Sequence, residues 1–224
     1  MINWISISEP INYVHTFNYM EEKAQAIYEG ADEEVLSLEH PETYTLGASS
    51  TCKNKHESLN SNYQTSNILD KNEISRNMNE MRIIRTNRGG GYTYHGPGQL
   101  VLYPMLNLSV RKKDIKLYVS NLQDLIINSL KCLGIKGFGH EKGIGVWMRC
   151  QDRPKKVASI GIKIKKWITY HGVAINVKTN MEKFKSINPC GLSWRDMISL
   201  SDIGADVSYS QLNIIMRREF LKIF

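Results

Sequence analysis

Several things are missing from this chain of 224 residues, and each absence closes a route. No stretch of 18 or more apolar residues occurs, so no transmembrane helix is expected. The opening, Met1-Ile2-Asn3-Trp4-Ile5-Ser6, has neither the basic start and apolar core of a secretory signal nor the Arg-rich, acid-poor character of a transit peptide. A cytoplasmic location follows by default. Only four cysteines are present (Cys52, Cys132, Cys150 and Cys190), with no C-x-x-C pair and no zinc-ligand spacing. In a reducing compartment they read as free thiols rather than as a disulfide frame. His140-Glu141 lacks the second histidine at helical spacing that a zinc protease needs, so neither metal nor cofactor is expected. No repeat and no linker divides the chain, and its length suits one domain over residues 1–224 with a substantial core.

What is present is mostly ordinary. The net charge is +7, from 29 basic and 22 acidic residues. Arg111-Lys112-Lys113 and the lysines around Ile164 could face nucleic-acid phosphates, or could simply be a solvated face. Cys132 lies in an apolar helical pattern and reads as core, Cys52 falls in a polar stretch, and Cys150 ends a strand-like run.

Periodicity outlines an α/β arrangement: a mixed β-sheet flanked by helices. Val14, Phe17, Met20, Ala24 and Ile27 recur at helical spacing after Ser8-Glu9-Pro10, and Gly30 closes the run. A second helix should start at an Asp114 cap and end at Gly134, with Ile115, Tyr118, Leu122, Leu125, Ile126, Leu130 and Leu133 on one face. A third should begin near Ser210, where Ser208 and Gln211 are spaced as in a capping box. Strands are predicted at 34–40, 43–47, 81–86, 100–103, 144–149, 156–164 and 167–177, with a tight turn near Lys165. Residues 51–81 are rich in Asn, Lys and Ser with little periodicity, and read as a long polar surface loop.

Three separated blocks carry more information. They are Arg88-Gly89-Gly90-Gly91-Tyr92-Thr93-Tyr94-His95-Gly96-Pro97-Gly98-Gln99, Lys156-Val157-Ala158-Ser159-Ile160-Gly161, and Asn188-Pro189-Cys190-Gly191. Three successive glycines let a backbone approach a ligand closely and can offer N–H groups to an oxyanion. The block is no phosphate loop, since Gly-Lys-Ser/Thr is missing, and no dinucleotide fingerprint, since the third required glycine falls on Tyr94. Pro and Gly around Cys190 hold a thiol on a backbone of restricted shape, as catalytic loops often do.

Together with Leu38 to Gly47 and Thr169 to Asn176, these blocks resemble the octanoyltransferases of lipoate biosynthesis over roughly residues 34 to 200. The resemblance implies a fold like the catalytic domain of biotin and lipoate protein ligases. It implies transfer of an octanoyl group from octanoyl-acyl carrier protein to a lysine of lipoyl domains, those of 2-oxoacid dehydrogenase E2 subunits and of the glycine cleavage H protein. Cys190 would be the nucleophile that carries the acyl group and Lys156 its partner. Arg88, Gly89, Gly90, Gly91, Tyr92, Thr93, Tyr94 and His95, with Ser159, Ile160, Gly161, Gly172, Val173 and Ala174, would bind the acyl chain. His171 beside them reads as structural. A monomer with no nucleic-acid or membrane partner is implied, and the basic surface becomes a rim that steers acidic carrier domains. Lys155 should point to the opposite sheet face from Lys156. The rival readings are an ATP-dependent lipoate–protein ligase, octanoyl transfer between lipoyl-type proteins, and a basic nucleic-acid-binding module.

Overall fold

The computed structural model describes residues 1–48, 68–69 and 83–224. Its main sheet has seven strands: β1 (Ile2–Ser6), β2 (Glu33–Leu38), β7 (Gln99–Met105), β11 (Ile168–Asn176), β10 (Pro154–Lys165), β9 (Gly143–Arg149) and β8 (Gly137–His140), in that spatial order. β1 and β2 are parallel and every other pair in this sheet is antiparallel. A second sheet places β4 (Ile68–Leu69), β5 (Ile83–Arg85), β3 (Thr43–Leu46) and β6 (Tyr92–His95) side by side.

Helices cover both faces of the main sheet, which is why its central strands carry near-continuous apolar runs instead of alternating ones. Along β7, Val101, Tyr103 and Met105 pack toward α1 (Tyr13–Tyr28), while Leu100 and Leu102 pack toward α2 (Ile115–Cys132) and α3 (Tyr209–Ile223). All nine residues of β11 are likewise buried.

The helix ends follow their capping chemistry. Asn12 accepts from the Val14 and His15 amides, Asp114 from Leu117 and Ser208 from Gln211. The first helix therefore begins at Asn12 and not at Ser8-Pro10, because only Asn12 supplies the side-chain acceptor. The turn near Lys165 is made by Lys166 and Trp167, both with positive φ, as a two-residue hairpin turn of matching twist requires.

Three expectations need correction. No strand is predicted between residues 86 and 100, yet Tyr92–His95 forms β6. Most of the 51–81 segment lies outside the described residues, but Ile68–Leu69 pairs in parallel with β5. Cys132 is exposed instead of buried: it ends α2 facing α3, where the Arg218 guanidinium donates to its sulfur at 3.2 Å.

Candidate active site

Cys190 occupies a single 3-10 turn, Pro189–Gly191, anchored by buried Pro189 and closed by the Leu192 amide donating to the Pro189 carbonyl at 3.0 Å. Its backbone is left-handed (φ 53, ψ 36), which costs a non-glycine residue about 1–2 kcal/mol. That conformation projects an exposed thiol over the Gly-rich loop. A Cβ built on Gly90 (φ +87) would lie 3.3 Å from Cys190 Sγ, so the loop and the thiol fit closely only with glycine there.

Lys156 comes to the same place although 34 positions separate the two residues. The segment after Cys190 runs back along β10: Met197 bridges Lys156 in parallel, and the Ile198 amide donates to the Lys156 carbonyl at 3.1 Å. A bulge between Lys156 and Ala158 re-aims the strand at this point. Lys156 is 3% exposed, whereas Lys155 is partly exposed on the other face. Burial pulls the Lys156 ammonium below its ordinary pKa, and the charge of Cys190 pulls it back up.

The Gly-rich loop is tied down by Arg88. This buried guanidinium donates to the Thr45 carbonyl at 3.0 Å, to Thr45 Oγ1 at 2.6 Å and to the Gly89 carbonyl at 3.0 Å. The Gly89 N–H donates to the Ile162 carbonyl at 2.9 Å, so this amide serves loop placement and is not available to an oxyanion.

Between loop and sheet lies an apolar cavity of about 250 Å³. It is lined by Cys190 and Lys156, by Arg88, Gly89, Gly90, Thr93 and His95, and by Ser159, Ile160, Gly161, Gly172, Val173 and Ala174. Gly91 does not line it. Tyr92 and Tyr94 do not either: strand alternation turns both into a small core with Phe184 and Ile187, leaving Thr93 and His95 to face the cavity.

Sequence reasoning missed Tyr13, Val101, Tyr103, Val119, Lys142, Gly143, Ile144, Ile162 and Leu192 as cavity lining, and read His171 as structural alone. Tyr13 and Tyr103 sit within patterns that core packing already explained, so nothing local marked them. Lys142 and the 61%-exposed Ile144 stand at the β8–β9 hairpin, where an alternation Gly143-Ile144-Gly145 was the available signal.

The histidines in and beneath the cavity are polar but uncharged, although the Arg88 guanidinium lies beside them. His40 is held at about 4 and His171 at about 3, both chiefly by burial, and His95 well below its ordinary value for the same reason. Tyr103 donates to His40 Nε2 at 2.8 Å, and His40 Nδ1 donates to the Ile11 carbonyl at 2.6 Å. The Gln99 amide donates to the Tyr94 carbonyl and to Asn176 Oδ1, so its oxygen accepts from His95 Nδ1 at 2.8 Å. His171 Nε2 donates to Asn87 Oδ1 at 2.9 Å. Neutral rings in fixed tautomers form a floor compatible with an apolar chain, and such low basicity unfits them for general-base work near neutral pH. Among the described residues, no group of three or more His, Cys, Asp or Glu is placed to hold a metal ion, and no helix is long and apolar enough to cross a membrane.

The sequence model described as "Lipoyl protein ligase A/B catalytic domain" matches residues 12–221. An octanoyltransferase of Rickettsia bellii is 39% identical and one of Orientia tsutsugamushi (strain Ikeda) 41% identical, each over an alignment of 228 positions that covers all of both chains. Among solved structures, lipoate-protein ligase A bound with ATP superposes with a TM-score of 0.74 at 17% identity, covering 99% of this chain and 84% of that one. A bi-partite lipoate protein ligase from Thermoplasma acidophilum, solved in work that also treats its E2 lipoyl domain, gives a TM-score of 0.72 at 17% identity, with 99% and 82% covered. At such identity these two likenesses speak for the fold.

Proposed function

The chain belongs to the family of the lipoyl protein ligase A/B catalytic domain, and we propose that it is an octanoyltransferase working through a thioester on Cys190. The observation that carries this reading is the convergence of one exposed thiol and one buried amine at a largely apolar cavity whose histidines are neutral. A thioester donor is already activated, so a thiolate can attack it without nucleotide.

In the first half-reaction the Cys190 thiolate attacks the octanoyl carbonyl of an acyl carrier protein thioester. A new C–S bond forms, the carrier's C–S bond breaks, and the departing thiolate takes a proton from the Lys156 ammonium. In the second, the lysine amine of an incoming lipoyl domain attacks the octanoyl-Cys190 carbonyl. Neutral Lys156 takes up the amine's proton and Cys190 leaves as thiolate, which restores the starting pair. Acyl carrier proteins and lipoyl domains are the expected donor and acceptors, and the exposed Lys142 beside the cavity suits acidic domains of that kind.

The test is intact-mass analysis after mixing the protein with octanoyl-acyl carrier protein in the absence of ATP and magnesium. The wild type should gain one octanoyl mass that hydroxylamine removes, and Cys190→Ala should gain none. Transfer onward to an apo lipoyl domain should follow ping-pong kinetics, with Cys132 and Cys150 replaceable. A labelled Cys190→Ala protein, or strict dependence on ATP, would overturn the reading.

A further inference from the structure

The side chain of Lys156 lies in a slot made by the β8–β9 hairpin. A Cβ built on Gly145 (φ +138) would sit 2.5 Å from Lys156 Cε, and one on Gly143 would sit 3.9 Å from Nζ. Gly145 has no room for a side chain, since the Ala158 carbonyl would lie 2.3 Å from that Cβ as well, while Gly143 stands in ordinary contact with the amine. Each of their carbonyls accepts from a side chain, one four residues along the same strand and one from α2. The Trp147 indole N–H donates to the Gly143 carbonyl at 3.0 Å, and the Gln123 amide of α2 donates to the Gly145 carbonyl at 2.7 Å.

Trp147 is fully buried, is the register partner of Lys156 across β9 and β10, and has its ring centroid 5.9 Å from Nζ. Gln123 is packed tightly against the hairpin, since a Cβ on Gly139 would come within 2.5 Å of its amide nitrogen. Two donors therefore converge on the two carbonyls next to the lysine. Helix-to-sheet packing alone would not require that coincidence.

We propose that Trp147 and Gln123 are positioning residues for Lys156, holding the glycine hairpin in the shape that aims its amine at the acyl-transfer centre. The inference rests on the reading of Lys156 as acid and base in octanoyl transfer. Loss of either donor frees a glycine carbonyl, lets the hairpin shift, and admits water beside the amine. Misplacement of a catalytic group on this scale is worth roughly a hundredfold in rate at most. With water present, the amine should also regain part of its ordinary basicity, because burial is the chief influence holding it down.

The experiment uses the full chain and a double-mutant cycle. Trp147→Phe keeps a ring and removes the donor, and Gln123→Leu removes the other from a partly exposed position. Each should lower kcat roughly tenfold to a hundredfold with KM for octanoyl-acyl carrier protein changed less than twofold. Each should also move the Lys156 limb of the pH–rate profile upward. Placed in a Lys156→Ala background, neither should slow the residual reaction further.

Rates that fall by the same factor whether or not Lys156 is present would overturn the proposal, as would wild-type kcat and pH profile in both single variants. If Trp147→Phe does not fold, Gln123→Leu decides alone. A Lys156→Ala protein with full activity would instead remove the underlying reading of the site, which keeps the two failures distinguishable.

Discussion

Lowering the pH from about 7.5 to about 5 should cost this fold a large part of its stability, and the reason lies beneath the cavity beside Cys190. His40 and His171 are held neutral by burial, at about 4 and about 3, against an unfolded value of about 6.5. Since the folded values lie lower, the unfolded chain binds more protons in between. The stabilisation is complete above the unfolded value and is lost as pH falls toward the folded ones. At pH 5 each of the two histidines costs about 2 kcal/mol, about 4 kcal/mol together. His95 is displaced in the same direction and adds to the loss. The Arg88 charge reinforces the effect on His95 and His171. Half-buried Glu39, raised by burial, works the opposite way but is a single group. Against a typical stability of about 5–15 kcal/mol, the loss should show as a steep fall in denaturant midpoint. Urea unfolding followed by circular dichroism at several pH values measures it directly. His171→Asn, which keeps a residue tolerant of the positive φ at this position, should flatten the slope by roughly a third to a half. A midpoint that stays constant down to pH 5 would refute the reasoning, and so would a His171→Asn protein with the wild-type slope.

Two further outcomes follow from the site's geometry. Lys156→Ala should slow both half-reactions by about two to four orders of magnitude in single-turnover assays, while Lys155→Ala, on the opposite face, should stay within about twofold. Gly90→Ala should lower the rate of Cys190 acylation and cost about 1 kcal/mol or more in thermal unfolding, because it forces a side chain into a left-handed backbone 3.3 Å from the sulfur.

The parts of this molecule that could be read in advance are those where one local pattern has one physical explanation. The seven-residue apolar face proposed for α2 placed Tyr118, Leu122, Leu125, Ile126 and Leu130 in the core, since no other arrangement buries them. Lys155 and Lys156 parted to opposite faces because strand side chains must alternate. Ile115, on the same helical stripe, is nevertheless 48% exposed at the first position of the helix. β1 stayed hidden because it is an edge strand with most of its residues exposed, and β8 because Gly137 and Gly139 interrupt any alternation. Cys132 was misplaced since its helix position fits a core stripe, yet α3 offers it Arg218 and Glu219 instead of apolar cover. The tyrosines and histidines in and beneath the cavity come from α1, β6, β7, β11 and, for His40, the second residue after β2. Only the topology brings them together, and no spacing within one segment could announce it.

The opposing influences on Lys156 give the site a sequence of its own. Burial weakens the hold of the amine on its proton, and the negative charge of Cys190 strengthens it. Under the proposed chemistry the second influence is not constant. While Cys190 is thiolate, the pair is best charged on both members, and Lys156 carries the proton that the departing carrier thiolate needs. Once the sulfur bears an octanoyl group it is neutral, and only burial remains to act on the lysine. The amine then stays neutral more readily, at the moment when an incoming lysine must lose a proton to complete the transfer. One side chain can therefore serve as acid and then as base without changing place, because the acyl group itself removes the charge that favoured the ammonium. This requires that Lys156 be kept from water throughout the cycle. A slot walled by Gly143 and Gly145 and a position only 3% exposed meet that requirement, whereas a solvated lysine at the same distance from sulfur would hold its proton in both states.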